Sequence, residues 1–471
     1  MRLVFVFAFA GGCTPQAPDL VDPPSAETGP MPTSGDTGLP ADTAAPSGAR
    51  VTSLVCGPTE NALRVDCQTR LDGPAPIELR WRRADGSGGE LSRRSEPPSL
   101  AHDTRLWFLA PQTTYTVEAS ADGFETSVAA TFTSGTPPRK VAARLAVTGE
   151  ADTPLVGTNL PCDLASAEAG MFDTATGELV WYEVMDRSGS FGGFEMLQFT
   201  EDRTVLGMTG DHVVEMDLGG HTLLRRSYDL PYHHDLFRRN GKTWLLYADP
   251  VSADLVLDGF VVWDASGTEV ARWREAEALP VPAGARGDWS HASSIWVGAD
   301  ESVLLSLEAR DTVLAVTPSG QVHWAIGGGA PTALAEDWSA IEGADGFAMP
   351  HAASRTPDGG VQLLDNAHGR ALRLAVDEGS ALASAVASFD AGAPRCGPQG
   401  TASLSAAGGL LAGCSGPNVR EYTPSGDRVL WSATLSCDSG EGSVGGPRGS
   451  QLASRWYALD GWGYTDGRSA P

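Results

Sequence analysis

Val262-Trp263-Asp264-Ala265-Ser266-Gly267-Thr268-Glu269-Val270-Ala271-Arg272-Trp273 is the stretch whose reading decides the fold. It predicts a strand, a tight turn whose glycine supplies positive φ, and a second strand that closes on tryptophan. The pattern returns as Phe172-Asp173-Thr174-Ala175-Thr176-Gly177-Glu178-Leu179-Val180-Trp181, as Val316-Thr317-Pro318-Ser319-Gly320-Gln321-Val322-His323-Trp324 and as Tyr422-Thr423-Pro424-Ser425-Gly426-Asp427-Arg428-Val429-Leu430-Trp431. Weaker copies centre on Gly219-Gly220 and Asp377-Glu378-Gly379. The six copies fall roughly 43 to 59 residues apart, the length of a four-stranded blade. A blade cannot bury both its faces alone. The expectation is therefore an all-β chain with a closed six-bladed β-propeller over residues 140–471. Arg455-Trp456-Tyr457-Ala458-Leu459 would supply the closing strand beside the first one.

Upstream of the ring the chain changes character. Residues 49–136 alternate apolar and polar positions in short runs such as Ile77-Glu78-Leu79-Arg80-Trp81, with Asp85-Gly86 and Asp122-Gly123 as turns. The run Leu109-Ala110-Pro111-Gln112-Thr113-Thr114-Tyr115-Thr116-Val117 resembles the fibronectin type III pattern, with Tyr115 at the tyrosine corner. One small β-sandwich, serving as a spacer, is expected. Residues 13–48 are dominated by Pro, Thr, Ser, Ala, Gly and Asp, too little apolar surface to offset the entropy of ordering, hence a flexible tether. Residues 1–12 read as an export signal, one arginine followed by an apolar run. Gly11-Gly12-Cys13 resembles a bacterial lipoprotein lipobox, with Ala10 where Leu is commonest. That resemblance implies lipidation of Cys13 and a membrane anchor, at the periplasmic face or on the outer membrane or cell surface.

Composition agrees with an exported, turn-rich protein. The 471 residues imply two or three domains, and Gly 56 with Pro 32 suits many turns. A net charge of -26, without a basic stripe, excludes a nucleic-acid partner. The same charge means that an anionic substrate needs a local cationic pocket. No apolar run reaches membrane-span length. Seven cysteines less Cys13 leave six, an even number in an oxidising compartment. The expected pairs are Cys56–Cys67, Cys162–Cys437 and Cys396–Cys414, the second tying the start of the ring to its end.

Three segments place histidine just ahead of a strongly apolar strand. They are Tyr232-His233-His234-Asp235 before 242–247, Asp288-Trp289-Ser290-His291-Ala292-Ser293 before 303–306, and Pro350-His351 before 361–364. Innermost propeller strands converge on a channel. His234, His291 and His351, with Arg310 and Asn366 just beyond the following strands, should make one compact pocket. Cationic and rich in hydrogen bonds, it would suit a sulfate or phosphate ester. His233 is expected to be structural and Asp235 to orient an imidazole or cap a turn. Trp289 and Phe347 are expected in the core and His323 on an outer strand. Two alternatives are weighed. Three imidazoles could ligate a metal, against which Arg310 argues by its charge; or the ring could be a surface lipoprotein that only binds a ligand or protein partner.

The ordered set His-His-Asp at 233–235, Asp-Trp-Ser-His-Ala-Ser-Ser at 288–294, Ser-x-x-x-Arg at 306–310, His-Trp-x-Ile-Gly-Gly at 323–328, Pro-His at 350–351 and Leu-Leu-Asp-Asn at 363–366 resembles the bacterial arylsulfate sulfotransferases of the cofactor-independent type. The resemblance covers about residues 145–440. It implies a six-bladed propeller behind a small β-sandwich, an aryl sulfate donor, a phenolic acceptor and no cofactor. It also implies that His351 is the nucleophile that carries the sulfuryl group, that His234, His291 and Arg310 bind the sulfuryl oxygens, and that Ser293 and Asn366 belong to the substrate site. The family has Asn where Ser293 stands, and a hydroxyl donates one hydrogen bond against an amide's two.

The chemistry stands on its own physics as well. Sulfuryl transfer, like phosphoryl transfer, has a loose transition state with charge on the equatorial oxygens, so positioning and electrostatics dominate. Neutral imidazole brings no negative charge to an anionic ester and splits the reaction into two displacements. No P-loop, Gly-x-x-x-x-Gly-Lys-Ser/Thr, offers a place for a nucleotide sulfate donor: Leu236 stands where Gly241-Lys242-Thr243 would need the first glycine.

Overall fold

In a computed structural model of the chain, the described residues are 48–122, 127–160, 162, 167–185, 194–209, 212–327, 339–343, 346–437 and 455–464. The expected leader, Cys13 and the tether as far as residue 47 lie outside them. Among the described residues strands make up nearly all the regular structure, with one four-residue α-helix and two single turns of 3-10 helix.

The first body, residues 48–134, is a five-stranded sheet built on two long strands, Val65–Arg83 and Leu91–Leu106. The first half of Val65–Arg83 pairs Val51–Pro58 and its second half pairs Thr114–Ala121, with register shifts between Arg70 and Ile77. Val51–Pro58 packs back on Ser127–Thr133, so the sheet closes over Ile77, Leu79, Trp81, Tyr115 and Val117. The hydroxyl of Tyr115 accepts the Ala110 N–H at 2.8 Å, the bond a tyrosine corner needs. Cys56 and Cys67 pair directly across two strands and are bonded.

Beyond it, the described strands form six four-stranded antiparallel units that follow one another in a β-propeller-like arrangement. Each repeated hairpin of the sequence is the turn between the third and fourth strands of one unit. The tryptophans in these copies act as staples. Trp181 Nε1 donates to the Leu218 carbonyl, Trp273 Nε1 to Gly320, Trp324 Nε1 to the Glu378 carboxylate and Trp431 Nε1 to Thr174, each at 2.9 Å. Every one of these acceptors lies in the corresponding turn of the next unit, and Trp431 to Thr174 joins the last unit to the first. Both chain ends interlock at that seam. Ala143–Gly149 adds to the outer edge of the last unit, and Trp456–Ala458 forms the innermost strand of the first, against Leu155–Asn159. Cys162–Cys437 crosses the same seam, and Cys396–Cys414 tethers the last unit's first hairpin. Two short strands among the described residues lie outside the scheme: Gly287–Asp288 runs parallel beside Leu255–Trp263 of the third unit, and Ser339–Gly343 runs parallel between the fourth and fifth units.

The innermost strands of neighbouring units touch in order around the ring. In an antiparallel unit the third-to-fourth turn lies at the end opposite to the start of the first strand. The sheet of residues 48–134 docks on the turn side, through Arg83 to Glu178 at 2.7 Å and Arg105 to the Gly219 carbonyl at 2.9 Å. The starts of the innermost strands, where the histidines stand, face the other way.

Candidate active site

His234 lies in Tyr232–Arg239, His291 immediately before Ala292–Val297, and His351 in Pro350–Arg355, the first strands of the third, fourth and fifth units. Each start is irregular in the same way. The register shifts between Tyr232 and Leu236, between Ala292 and Ser294, and between His351 and Ser354. Left-handed backbone appears alongside, at His234 (φ 61), His291 (φ 49) and Ala352 (φ 52). Non-glycine residues in this region cost free energy and persist where the surroundings force them. A bulge re-aims the side chain beside it, and here it does so three times around one axis.

The result is an imidazole cluster. His234 Nε2 stands 2.7 Å from His291 Nε2, and His291 and His351 each place Nε2 3.5 Å from the same Glu308 oxygen. His351 is 2% exposed. Its Nδ1 is 3.1 Å from the Met349 carbonyl, which can only accept, so Nδ1 carries the proton and Nε2 keeps its lone pair. Nε2 has no hydrogen-bond partner among the described residues. Burial, then the His291 and Arg455 charges, push His351 down to about 4, against the Met349 bond, which raises it. His234 is held well below the ordinary histidine range, by burial first and then by its three histidine neighbours. His291 moves the other way. Burial would lower it, but its hydrogen bond to Asp288 and the charges of Asp288, Glu308 and Asp258 outweigh burial and raise it. The cluster thus keeps a lone pair on buried His351 and favours the protonated form of His291, whose side chain is 32% exposed.

A small cavity of about 30 Å³ opens among His234, His351, Ser293, Gln399, Arg455 and Tyr457. Ser293 gives its only hydrogen to the Pro350 carbonyl at 2.7 Å; it therefore clamps the His351 strand and presents only lone pairs inward. Asn366 is fully buried and spends its amide N–H groups on the carbonyls of Gly397, at 2.6 Å, and Gln399, at 3.0 Å, so it shapes the loop that delivers Gln399. Arg310 shares a helical turn with Glu308 and lays its guanidinium 4.6 Å from the Trp289 ring. It does not line the cavity. Asp235 orients no imidazole: it pairs with Arg455 at 3.1 Å and accepts the N–H groups of Leu236 and Ile295. Among the described residues no group of three or more His, Cys, Asp or Glu is placed to hold a metal ion.

Behind the cluster lies a second polar group that the sequence does not announce. His233 Nε2 meets Asp258 at 2.8 Å, and the Ser290 hydroxyl sits 2.6 Å from Asp258 and 2.5 Å from Glu275. One hydroxyl hydrogen cannot serve two carboxylates, so a further proton must reside there. Burial, then the Asp258 charge, push Glu275 up to about 8, which assigns that proton to Glu275. Folded protein then keeps a proton that unfolded chain releases. Stability falls as pH rises from about 4.5 to about 8. Glu275→Gln, which mimics the protonated acid, should melt like wild type at pH 5 and above it at pH 9; equal melting at pH 9 would place the proton elsewhere.

Residues 163–390 match a family model described as Arylsulfotransferase (ASST). No curated protein matches the chain. Among solved structures, a protein of unknown function from Bacteroides caccae is 11% identical, covers 65% of this chain and 100% of its own, and has a TM-score of 0.43. Virginiamycin B lyase from Staphylococcus aureus gives 10%, 62%, 99% and 0.37 on the same measures, and a periplasmic gluconolactonase from Pseudomonas aeruginosa 12%, 77%, 96% and 0.34.

Proposed function

Residues 163–390 belong to the arylsulfotransferase (ASST) family, and from that premise we propose that the protein moves a sulfuryl group from an aryl sulfate to a phenolic acceptor through a transient N-sulfo-histidine at His351, with no nucleotide donor. His351 carries the reading: a buried, neutral imidazole whose Nδ1–H is fixed on Met349 and whose Nε2 has no hydrogen-bond partner among the described residues. In the first displacement Nε2 forms a bond to sulfur as the bond from sulfur to the aryl oxygen breaks. The departing phenolate takes a proton from the His291 imidazolium. The sulfo-imidazole ring then bears positive charge, which the Met349 carbonyl stabilises through Nδ1–H, and remains a good leaving group. In the second displacement the acceptor phenol gives its proton to His291 and attacks sulfur, and the bond from Nε2 to sulfur breaks. Asp288 holds the Nδ1–H of His291, so the proton passes through Nε2, the nitrogen that rests 2.7 Å from His234 before substrate arrives. The lone pairs of Ser293 face the same space and donate nothing to the sulfuryl oxygens, whereas Arg310, which the family resemblance implies as a sulfuryl ligand, lies over Trp289 outside the cavity lining.

The test is release of p-nitrophenol from its sulfate ester with phenol present. We expect one phenyl sulfate formed per p-nitrophenol released and ping-pong kinetics. Folded protein that is silent across several aryl sulfates would leave a propeller that only binds. Export and anchoring belong to the same proposal, supported by three disulfides, which need an oxidising compartment. Cys13→Ala should move the protein from the membrane fraction to the soluble one; retention in the membrane fraction rejects the anchor.

A further inference from the structure

We infer that Arg455, delivered by the strand that closes the ring, is the cation that grips the sulfonate oxygens of the group being transferred. The inference rests on the sulfuryl-transfer reading and adds a residue that the reading does not contain. The problem it answers is electrostatic. A chain of net charge -26 must receive an anionic ester in a cavity where Asp235 is a wall and His234 and His351 are both held neutral. Of the side chains that line this cavity among the described residues, Arg455 alone carries a fixed positive charge. Arg310, whose guanidinium stacks over Trp289, is outside the lining.

Arg455 is also held ready. One of its N–H groups goes to Asp235 at 3.1 Å. Asp235 is itself pinned by the N–H groups of Leu236 and Ile295, at 3.0 and 3.1 Å, so the carboxylate is fixed where the innermost strands of the third and fourth units meet. Tyr457, two residues on, puts its ring 5.7 Å from the guanidinium and its hydroxyl on the Leu197 carbonyl. The fork is thereby anchored on Asp235 and Tyr457, with its remaining donors left for a multidentate oxyanion. Its charge also reaches His351, so the cation and the nucleophile act on one small space. A guanidinium pre-set beside the nucleophile stabilises charge on the equatorial oxygens without reorganising during the reaction.

The experiment measures p-nitrophenyl sulfate turnover, inhibition by inorganic sulfate and thermal melting for wild type, Arg455→Lys and Arg455→Met. Lysine keeps the charge but loses the fork. We expect kcat/KM to fall at least about 30-fold and the sulfate inhibition constant to rise at least about 10-fold in Arg455→Lys, with more loss in Arg455→Met. A purely structural arginine would lower the melting temperature and leave the sulfate constant of the folded enzyme unchanged, and that result overturns the proposal. If Arg455→Met does not fold, the lysine variant decides. Should wild type release no p-nitrophenol, the sulfuryl-transfer reading fails by itself. Calorimetric titration with inorganic sulfate then still judges Arg455: binding by wild type that is lost in Arg455→Lys supports it, and equal binding, or none, rejects it.

Discussion

Replacing His351 with alanine should abolish both aryl sulfate turnover and the covalent adduct. Intact mass after mixing wild type with an aryl sulfate gains one sulfuryl group; His351→Ala gains none, and its kcat falls by about 10³-fold or more, as for loss of a nucleophile. A variant that still acquires the group would move the nucleophile to another side chain. The pH dependence gives a second handle. With His351 at about 4, its lone pair is available across the neutral range, so the nucleophile imposes no acid limb above about pH 5. His291, raised above its ordinary value by Asp288 and Glu308 despite burial, donates a proton in one half-reaction and accepts it in the other. The donor's kcat/KM should fall as pH rises through the folded His291 value, and the acceptor's should rise. Stability follows its own sign rule. His351 is depressed in the folded state, so its penalty is absent above about pH 6.5 and grows to about 3 kcal/mol as pH falls to about 4. His351→Ala should therefore lose less stability on acidification than wild type.

The sequence made the architecture legible because the third-to-fourth turn repeats with its glycine and, in four units, its tryptophan. The staples from Trp181, Trp273, Trp324 and Trp431 explain why those residues recur: each bonds the next unit's turn. The histidines were legible for a related reason. A polar residue ahead of an apolar innermost strand has to face the channel, and three such strands meet. The carboxylates were not legible. Glu308 occupies the middle of the 306–310 motif, yet nothing local tells that its oxygen falls between two imidazoles. Glu275 and Asp258 come from a short helix and a strand 17 residues apart that meet only in the fold. Arg455 is the sharpest case. The closing strand could be read for its pairing, while the side chain at its start gains meaning only when the last strand to be placed sets it beside groups at 234, 235 and 351.

Removing the Cys162–Cys437 bond, as Cys162→Ala with Cys437→Ala, should cost far more stability than removing either of the other two. The bond closes a loop of 275 residues, against 11 for Cys56–Cys67 and 18 for Cys396–Cys414. Chain entropy alone makes the long closure worth about 5 kcal/mol, some 2–3 kcal/mol above the short ones. The structure adds a local reason. The last and first units meet at this seam, where the Ala143–Gly149 ladder, the Trp431 staple and the Trp456–Ala458 strand all lie. A short disulfide within one sheet restrains a hairpin; this one restrains the circle. Loosening the seam also frees the strand that carries Arg455, so sulfate affinity should weaken in the double alanine variant below its melting temperature. Urea unfolding of the three paired variants tests the ranking. Equal midpoints for all three would mean that the long closure stabilises no more than the short ones, and would overturn the chain-entropy ranking.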